Sequence, residues 1–369
     1  MNSQTLWSVH KFGGASVKDA DAIVNLYRVA STTPAAQRGD QLAIVVSAMG
    51  KTTNALETAL AQVQDGVSRQ EALAEIFAAH RTAASDLELG EDVLNDAFEG
   101  LLSAELNYNA WVSWGEHFST LLVAAYLNKC GQPTRWLDAS ELICTDDRAQ
   151  AAVVDETETS KNIALAGFEA TMGQFGPMWI VTQGFIGGYF GAHGVVRTTL
   201  GREGSDYSGA LIAQGLSAEE LTIWKDVPGM MNADPEMWPG AVRLPEVDFD
   251  DALAMSQAGA GVIHEKTVLP LKKEQIALHI KCFSKPDASG TVVGRFPGLC
   301  YAVPLMAFMR VEPEGAGAEC WEVTVLRATA EEAISAVGEK FPDWEILKVS
   351  EGVDRAVVSC RVLVSTRLR

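Results

Sequence analysis

The stretch WSVHKFGGASVKDADAIVNLYRVAS, residues 7–31, joins a short apolar run, a glycine pair and a segment of helical periodicity. Residues 7–12 predict a strand, because a short apolar run that ends at Gly13 and Gly14 is typical of a buried strand followed by a turn. Ser16 then predicts the start of a helix, since apolar residues recur at helical spacing beyond it. A strand, a turn and a helix in this order indicate an α/β fold.

The same alternation continues to about residue 294. The run QLAIVVSAM, residues 41–49, predicts a strand that is buried on both faces, as in a parallel sheet. Asn54 and Ser68 each precede a glutamate by three residues and predict helix starts, and residues 91–129 predict a long helical region. Further strands are predicted at residues 134–139, 178–185, 221–227 and 276–283. We therefore predict an α/β domain with a mainly parallel sheet.

The last part of the chain has a different character. Its pattern predicts two strands, one helix and two more strands, which is typical of a small α+β module. We therefore divide the chain into a main domain, residues 1–294, and a C-terminal module, residues 295–369.

Composition limits the functions that the chain can serve. Its 369 residues are 47% apolar, enough for a large core, and the formal net charge of −19 disfavours nucleic-acid partners, whose phosphates require a basic surface. No run approaches the roughly 18 apolar residues of a transmembrane helix, and no signal peptide is visible. The six cysteines lack CxxC spacing, which is typical of reduced thiols. We expect a cytoplasmic protein without membrane partners.

Two turns suggest anion binding. Lys11 stands beside Gly13 and Gly14, where bare backbone amides, a helix N-terminus and a mobile cation could together hold a phosphate. An exposed lysine beside an ordinary turn would explain the same residues. A second turn offers the hydroxyls of Ser47 and Thr53 before the next helix, although a plain helix start would also explain it. Because parallel strands end at one edge of the sheet, we expect these turns to lie side by side.

Other charged residues match the charges of an amino acid and a nucleotide. Glu116 interrupts an apolar helical stretch, so its carboxylate must be paired or must face a ligand cation such as an ammonium. Arg202 stands in a glycine-rich turn, where its guanidinium could bind a carboxylate through two hydrogen bonds. Asp206 begins the next helix and either complements the helix dipole or holds a catalytic lysine. Lys225 and Asp226 end a strand before a Pro-Gly turn, and such a loop could clasp a nucleotide.

Several common functional motifs are absent from the sequence. It contains no GxxxxGK[ST] loop, no GxGxxG after a strand, no HExxH and no clustered His/Cys set. These absences disfavour a P-loop, a Rossmann cofactor site and a structural metal, whereas Mg²⁺ brought by a nucleotide is compatible with them. His117 is interpreted as a packing or capping residue.

In this order, the motifs resemble those of the aspartate kinases of the amino-acid kinase family. The matching stretches between residues 9 and 294 are KFGGAS, VVSAMGKTTN, SWGE, TQGFIGG, TTLGREGSDYS, WKDVPGMMNADP and GAGVIHEKT. The resemblance implies a three-layer α/β/α sandwich with a mainly parallel eight-stranded sheet. It also implies ATP-dependent phosphorylation of the β-carboxylate of L-aspartate to 4-phospho-L-aspartate, the first step of the aspartate-derived pathway to lysine and threonine. A homodimer is implied as well.

The resemblance assigns a role to each candidate residue. Lys11 and Asp206 would be catalytic, with Lys11 neutralising the transferred phosphoryl group and Asp206 orienting Lys11. The other implied groups are phosphate-binding Gly13, Gly14 and Ser47; substrate-binding Thr53, Glu116, Arg202 and Ser205; and nucleotide-binding Lys225, Asp226, Met231 and Asp234. ATP and Mg²⁺ are the implied cofactors, and no metal ligand in the protein is predicted.

Four positions depart from the commonest family pattern. Ala15 stands where threonine is usual and Glu236 where arginine is usual, while Gly261 and Glu265 replace a common lysine and a common proline. A carboxylate at position 236 would repel phosphates by about 1 kcal/mol or more. The C-terminal module has room for one partial ACT-like unit rather than the usual pair, so we expect a dimer contact through an edge strand instead of feedback by lysine or threonine.

Two alternative functions remain open on the sequence. Arg202 and Glu116 would recognise any α-amino acid, so the chain could be a kinase of another amino acid in a specialised pathway. The departures at Glu236 and Gly261 are also compatible with a catalytically weak paralogue that has a regulatory or scaffolding role.

Overall fold

The computed structural model describes residues 6–362 except 149, 173–176, 193, 298, 300, 302, 312–319, 327, 343, 353 and 354. Its strands are β1 (Trp7–Phe12), β2 (Gln41–Val46), β3 (Thr134–Leu137), β4 (Trp179–Gln183), β5 (Ile186–Gly191), β6 (Gly194–Thr199), β7 (Glu220–Lys225), β8 (Glu246–Asp248), β9 (Ala277–Cys282), β10 (Thr291–Gly294), β11 (Leu305–Val311), β12 (Cys320–Leu326), β13 (Trp344–Gly352) and β14 (Arg355–Val362). Its helices are α1 (Ala20–Ser31), α2 (Pro34–Arg38), α3 (Thr52–Gln64), α4 (Arg69–Asp86), α5 (Asn95–Ser103), α6 (Tyr108–Val112), α7 (Trp114–Lys129), α8 (Ala139–Leu142), α9 (Glu156–Met172), α10 (Gly204–Gly215), α11 (Phe249–Gln257), α12 (Glu265–Glu274) and α13 (Ala330–Lys340).

Eight strands form one central sheet in the order β3-β4-β2-β1-β7-β9-β10-β8. Neighbouring strands in it run parallel except β9 and β10. Helices α9 to α12 bury one hydrophobic core against this sheet, and helices α1 to α7 bury a second. The predicted three-layer α/β/α sandwich with a mainly parallel eight-stranded sheet is therefore confirmed.

The opening segment folds as a strand, a turn and a helix, but its helix begins later than predicted. Ser16 lies in a short 3₁₀ turn, and the side chain of Asp19 accepts a hydrogen bond from the Ala22 amide and caps α1. Helix α3 begins at Thr52, two residues before the start predicted at Asn54. The strand β1 is buried along its whole length, so Lys11 enters the site from a rigid element.

The predicted continuous helical region at residues 91–129 is interrupted. It consists of a 3₁₀ turn and the helices α5, α6 and α7. Asn107 marks a new start, because its side chain accepts a hydrogen bond from the Ala110 amide at the beginning of α6. A further break at Ser113 places Glu116 in the first turn of α7 rather than in the middle of a long helix.

The glycine-rich region before α10 folds as an antiparallel hairpin, β5 with β6, which the sequence did not predict. A Cβ atom at Gly188 would collide with the carbonyl oxygen of Ser140. Glycine therefore allows β5 to approach α8 closely. Gly201, at a φ of 78°, then turns the chain from β6 towards α10.

The C-terminal module has its own antiparallel sheet, in the order β11-β12-β14-β13. Helix α13 packs on it through Ala333 and Val337, and Thr329 and Glu332 form a reciprocal capping box at the start of that helix. The order of elements agrees with the sequence pattern, and the domain division at residue 294 stays a prediction.

No helix in the described part of the chain combines the length and apolar character that a bilayer crossing needs. Cys130, Cys144 and Cys282 are free thiols. The predictions for Cys300, Cys320 and Cys360 fall outside the residues whose side chains the structure describes.

Candidate active site

The two turns predicted to bind anions lie side by side at the carboxyl edge of the sheet. Strand β1 pairs with β2, and the Ser47 amide donates to the Phe12 carbonyl oxygen over 3.1 Å. The Gly50 amide donates to the Gly14 carbonyl oxygen, also over 3.1 Å. A Cβ atom at Gly14 would lie 2.8 Å from the carbonyl oxygens of Ala48 and Gly50, so this contact between the turns requires glycine.

A buried carboxylate joins two lysines next to these turns. The Lys11 Nζ lies 2.7 Å from Asp206 Oδ1, and the Lys225 Nζ lies 2.9 Å from Asp206 Oδ2. Asp206 is 1% exposed. Burial by itself would raise its pKa, but the charges and hydrogen bonds of the two lysines hold the pKa of Asp206 below its ordinary value. Asp206 is therefore an anion that fixes two cations at the ends of β1 and β7.

Glu116 is also a buried carboxyl group, but its pKa is shifted in the opposite direction to that of Asp206. It is 3% exposed, and burial raises its pKa to about 8, while backbone amides including that of Ala48 and the charge of Lys11 oppose the rise. Its Oε2 atom has no hydrogen-bond partner among the described residues. A buried oxygen without a partner at a cavity wall favours a ligand that donates hydrogen bonds.

A cavity of about 640 Å³ collects most of the predicted amino-acid and phosphate residues. Those that line it are Lys11, Gly14, Ser47, Thr53, Glu116, Arg202, Ser205 and Asp206. Arg202 is exposed at this wall, and its guanidinium has no carboxylate partner among the residues that the structure describes. The cavity therefore offers a free cation and a free buried carboxyl oxygen to one ligand. Gly13 stands just outside the lining, within reach of the Lys11 ammonium.

The sequence analysis missed several cavity residues. Tyr108 donates a hydrogen bond to Glu57 Oε1 over 2.9 Å, and both side chains line the cavity. Burial and then Glu57 raise the pKa of Tyr108 to about 12, so the phenol remains a donor. No local signal joins α3 to α6, whereas Phe185 and Glu203 lie inside quoted motifs and have positive φ angles of 69° and 58°. A non-glycine residue at positive φ is uncommon and is held there by its surroundings.

The predicted nucleotide residues form a second group outside this cavity. Lys225 reaches Asp206 from β7, and Asp226 is exposed directly after it. Met231 pairs with Arg243 in an isolated bridge, and the exposed Asp234 caps a turn by accepting a hydrogen bond from the Glu236 amide over 2.8 Å. Asp206 is thus the link between the two groups of predicted residues.

His117 lies in a structural cluster. Its Nδ1 atom is 3.1 Å from the Arg197 guanidinium, which also donates to Asp138 Oδ2 over 2.9 Å and lies 4.7 Å from the Trp114 ring centre. Burial and then Arg197 lower the pKa of His117 to about 4. A neutral, packed imidazole agrees with its interpretation as a packing residue.

The departures near the predicted nucleotide side lie at exposed or half-buried positions. A Cβ atom at Gly261 would have no neighbour within 4 Å. Glu265 accepts a hydrogen bond from the Gln257 side chain over 3.0 Å, and Glu236 is exposed. Nothing described at these positions closes the region to a ligand.

The raised pKa of Glu116 gives a stability prediction for the free protein. The folded state binds one more proton than the unfolded state between pH 4.5 and about 8, so the free energy of unfolding falls as the pH rises through this window. Glu116→Gln keeps the shape of the neutral acid and should lack this slope, a difference on the order of 5 kcal/mol above pH 8. Denaturant unfolding of both proteins from pH 5 to 9 measures it, and parallel profiles would contradict the buried, protonated carboxyl.

Comparison with known proteins connects this geometry to one family. The family model described as "Amino acid kinase family" matches residues 7–282. The chain is 34% identical over 315 residues to aspartokinase 2, chloroplastic, of Arabidopsis thaliana, covering 81% of this chain and 56% of that protein. It is 32% identical over 298 residues to lysine-sensitive aspartokinase 3 of Escherichia coli (strain K12), covering 77% and 63%. The chain thus spans little more than half the length of the plant protein.

The solved structures include proteins of similar fold. E. coli aspartokinase III in complex with aspartate and ADP (R-state) aligns with a TM-score of 0.69 at 26% identity, covering 97% of this chain and 80% of that one. The same enzyme in complex with lysine and aspartate (T-state) aligns with a TM-score of 0.69 at 27% identity, covering 96% and 78%.

Proposed function

Because the chain belongs to the amino acid kinase family, we propose that it is an aspartate kinase, which transfers the γ-phosphoryl group of ATP to the β-carboxylate of L-aspartate. The observation that carries the proposal is the cavity, where the free Glu116 oxygen and the free Arg202 guanidinium accompany Lys11. An α-amino acid carries the ammonium and the carboxylate that complement this pair. The aspartokinases among the relatives, and the E. coli structure with aspartate and ADP, support aspartate as the amino acid.

In this proposal the protein holds the amino acid by the two charged groups on its α-carbon, the ammonium and the carboxylate. Arg202 binds the α-carboxylate and Glu116 accepts hydrogen bonds from the α-ammonium, while Thr53 and Ser205 donate to the substrate from neighbouring walls. Glu116 must ionise to pair with the ammonium, so binding below about pH 8 is accompanied by proton release. The attacking β-carboxylate is already ionised and needs no general base.

Lys11 and the two turns then act on the transferring group. Phosphoryl transfer depends on positioning and on neutralisation of charge rather than on covalent help from the protein. Lys11 supplies a cation that Asp206 keeps in place, and the turns at Gly13, Gly14 and Ser47 supply donors beside it.

The nucleotide would bind beyond Asp206, against Lys225, Asp226, Met231 and Asp234. Both oxygens of Asp206 are engaged by lysines, so an exposed carboxylate of this group, Asp226 or Asp234, would be the protein's contact with a Mg²⁺ ion that the nucleotide brings. Magnesium usually binds through phosphates and few protein groups, so the nucleotide would supply most of its ligands. When bound, Mg²⁺ neutralises phosphate charge.

We extend the proposal to the setting of the enzyme. The product, 4-phospho-L-aspartate, makes this the first step of the aspartate-derived pathway to lysine and threonine, in the cytoplasm. The edge strand β13 of the four-stranded C-terminal sheet would pair two chains into a homodimer, because the other edge strand, β11, is bonded to the loop after β7 through its Met306 amide.

Replacement of Arg202 tests the assignment of the two ligand sites. Arg202→Ala should raise the KM for aspartate about 10- to 100-fold, because a charge-assisted hydrogen bond to a carboxylate is lost. The dissociation constant for ADP should stay within about twofold, since Arg202 lines the amino-acid cavity and not the loop after β7. Steady-state kinetics and calorimetric titration with ADP measure the two effects. Loss of ADP binding instead would mean that the two sites are assigned in reverse.

A hydroxylamine-trapping assay with Mg-ATP tests the function itself. Acyl phosphates react with hydroxylamine to give hydroxamates, so a panel of amino acids with L-aspartate first reports the acceptor directly. Hydroxamate from aspartate supports the proposal, and hydroxamate from a different amino acid selects the alternative kinase. No product from folded protein that still binds ADP or aspartate would indicate a non-catalytic paralogue.

A further inference from the structure

The loop between β7 and β8 lies against the C-terminal module. Ala233 of this loop is 3% exposed and belongs to the hydrophobic core that contains Met306 of β11 and Val337 of α13. Trp238 packs against the same core, and the Lys340 ammonium of α13 lies 4.9 Å from its ring centre. The loop therefore completes the core of the module, although it leaves the central sheet directly after Lys225.

Asn232 is the polar centre of this contact and is fully buried. Its side-chain amide donates to the Pro304 carbonyl oxygen over 3.0 Å, and its side-chain oxygen accepts from the Val242 amide over 2.7 Å. Its main chain donates to the Val242 carbonyl oxygen over 3.0 Å and accepts from the Met306 amide over 2.7 Å. One residue thus closes the loop on itself and ties it to β11.

We propose that Asn232 is a positioning residue for the nucleotide, because it ties the loop that carries Met231 and Asp234 to the C-terminal module. The inference rests on the proposed function, in which these two neighbours contact ADP. The module would then set the nucleotide affinity of the chain that carries it, a role distinct from pairing two chains.

The physical reason is preorganisation. Residues 226–245 contain no helix or strand, so their backbone has to be ordered either by the fold or by the ligand. Ordering during folding leaves more of the ligand's interaction energy for affinity. Loss of the Asn232 side chain would leave the partly buried Pro304 carbonyl and Val242 amide without that partner, so the loop would be held to the module less firmly.

A second bridging asparagine, exposed where Asn232 is buried, is the control that separates positioning from general stability. Asn128 also bridges two segments, since its side chain donates to the Thr134 carbonyl oxygen and accepts from the Thr134 amide, each over 3.0 Å. It joins α7 to β3, away from the loop. Asn232→Ala and Asn128→Ala should both lower the thermal midpoint of the full-length protein, whereas Asn232→Ala alone should raise the Kd for ADP about tenfold or more. The Kd for aspartate should stay within about twofold in both.

Calorimetric titration of each full-length variant with ADP, and separately with aspartate, decides the proposal. An unchanged Kd for ADP in Asn232→Ala, or an equal loss of ADP affinity in Asn128→Ala, overturns it. If Asn232→Ala does not fold, Trp238→Ala loosens the same contact, and an unchanged Kd for ADP there overturns it as well. A wild-type protein that does not bind ADP overturns the proposed function together with this inference. If ADP binds as expected but no hydroxamate forms from any amino acid, the proposed function fails while the role of Asn232 stands.

Discussion

Lys11→Ala should lower kcat by on the order of 10²–10³, the usual cost of removing one preorganised charge or donor from a transition state. Lys11 is held by β1, which is buried along its length, and by an ion pair of 2.7 Å with Asp206. Its cation therefore needs no reorganisation when negative charge moves between ATP and the acceptor. Initial rates at saturating ATP and aspartate measure kcat, and titration with aspartate shows whether ground-state binding has changed.

Lys51→Ala is the control for this result. Lys51 lies in the neighbouring turn and is exposed, but it does not line the cavity. Its removal takes away the same charge from an exposed position outside the cavity, and kcat should stay within about twofold. Equal effects of the two variants would indicate a general field of positive charge, and an unchanged kcat in Lys11→Ala would remove Lys11 from the mechanism.

The sequence allowed the central sheet, and many of the residues that line the cavity, to be predicted for a physical reason. Strands buried on both faces are continuous apolar runs, as in QLAIVVSAM, and they end in glycine or small polar residues where a ligand can approach. Parallel pairing then brings Lys11, Ser47 and Lys225 to one edge without further information. The residues found in this way stand at strand ends or in quoted motifs.

The parts that were missed depend on contacts between distant segments. The Tyr108–Glu57 hydrogen bond joins two helices that no local pattern relates, and the hairpin β5–β6 is glycine-rich because of its packing against α8. Glu116 could be recognised as an unusual carboxylate, but its pKa of about 8 depends on the tertiary burial of α7. Asn232 reads as an ordinary turn residue, and only its bond to Pro304, 72 residues later, gives it a role.

Replacement of Asp206 should also have a large effect, on both the free energy of unfolding and kcat. Asp206→Ala leaves the ammonium groups of Lys11 and Lys225 together without their shared anion, and Lys11 is 7% exposed. Breaking a buried ion pair by removing one partner costs about 3–5 kcal/mol of unfolding free energy. Because Lys11 also loses its fixed position, kcat should fall by on the order of 10² or more.

A second substitution separates the two consequences of losing Asp206. Adding Lys225→Met to Asp206→Ala removes one of the two uncompensated cations, so part of the lost unfolding free energy should return. The value of kcat should not recover, because Lys11 still lacks its anchor.

The lowered pKa of Asp206 also predicts how the free energy of unfolding depends on pH in acid. Its stabilisation is present above the ordinary aspartate pKa and is lost as the pH falls below it, so the wild type should show a stability loss below about pH 4 that Asp206→Ala lacks. Denaturant unfolding at pH 3–7 and initial rates measure both effects. Recovery of kcat in the double variant would mean that Asp206 acts only by stabilising the fold and that Lys11 needs no orienting partner.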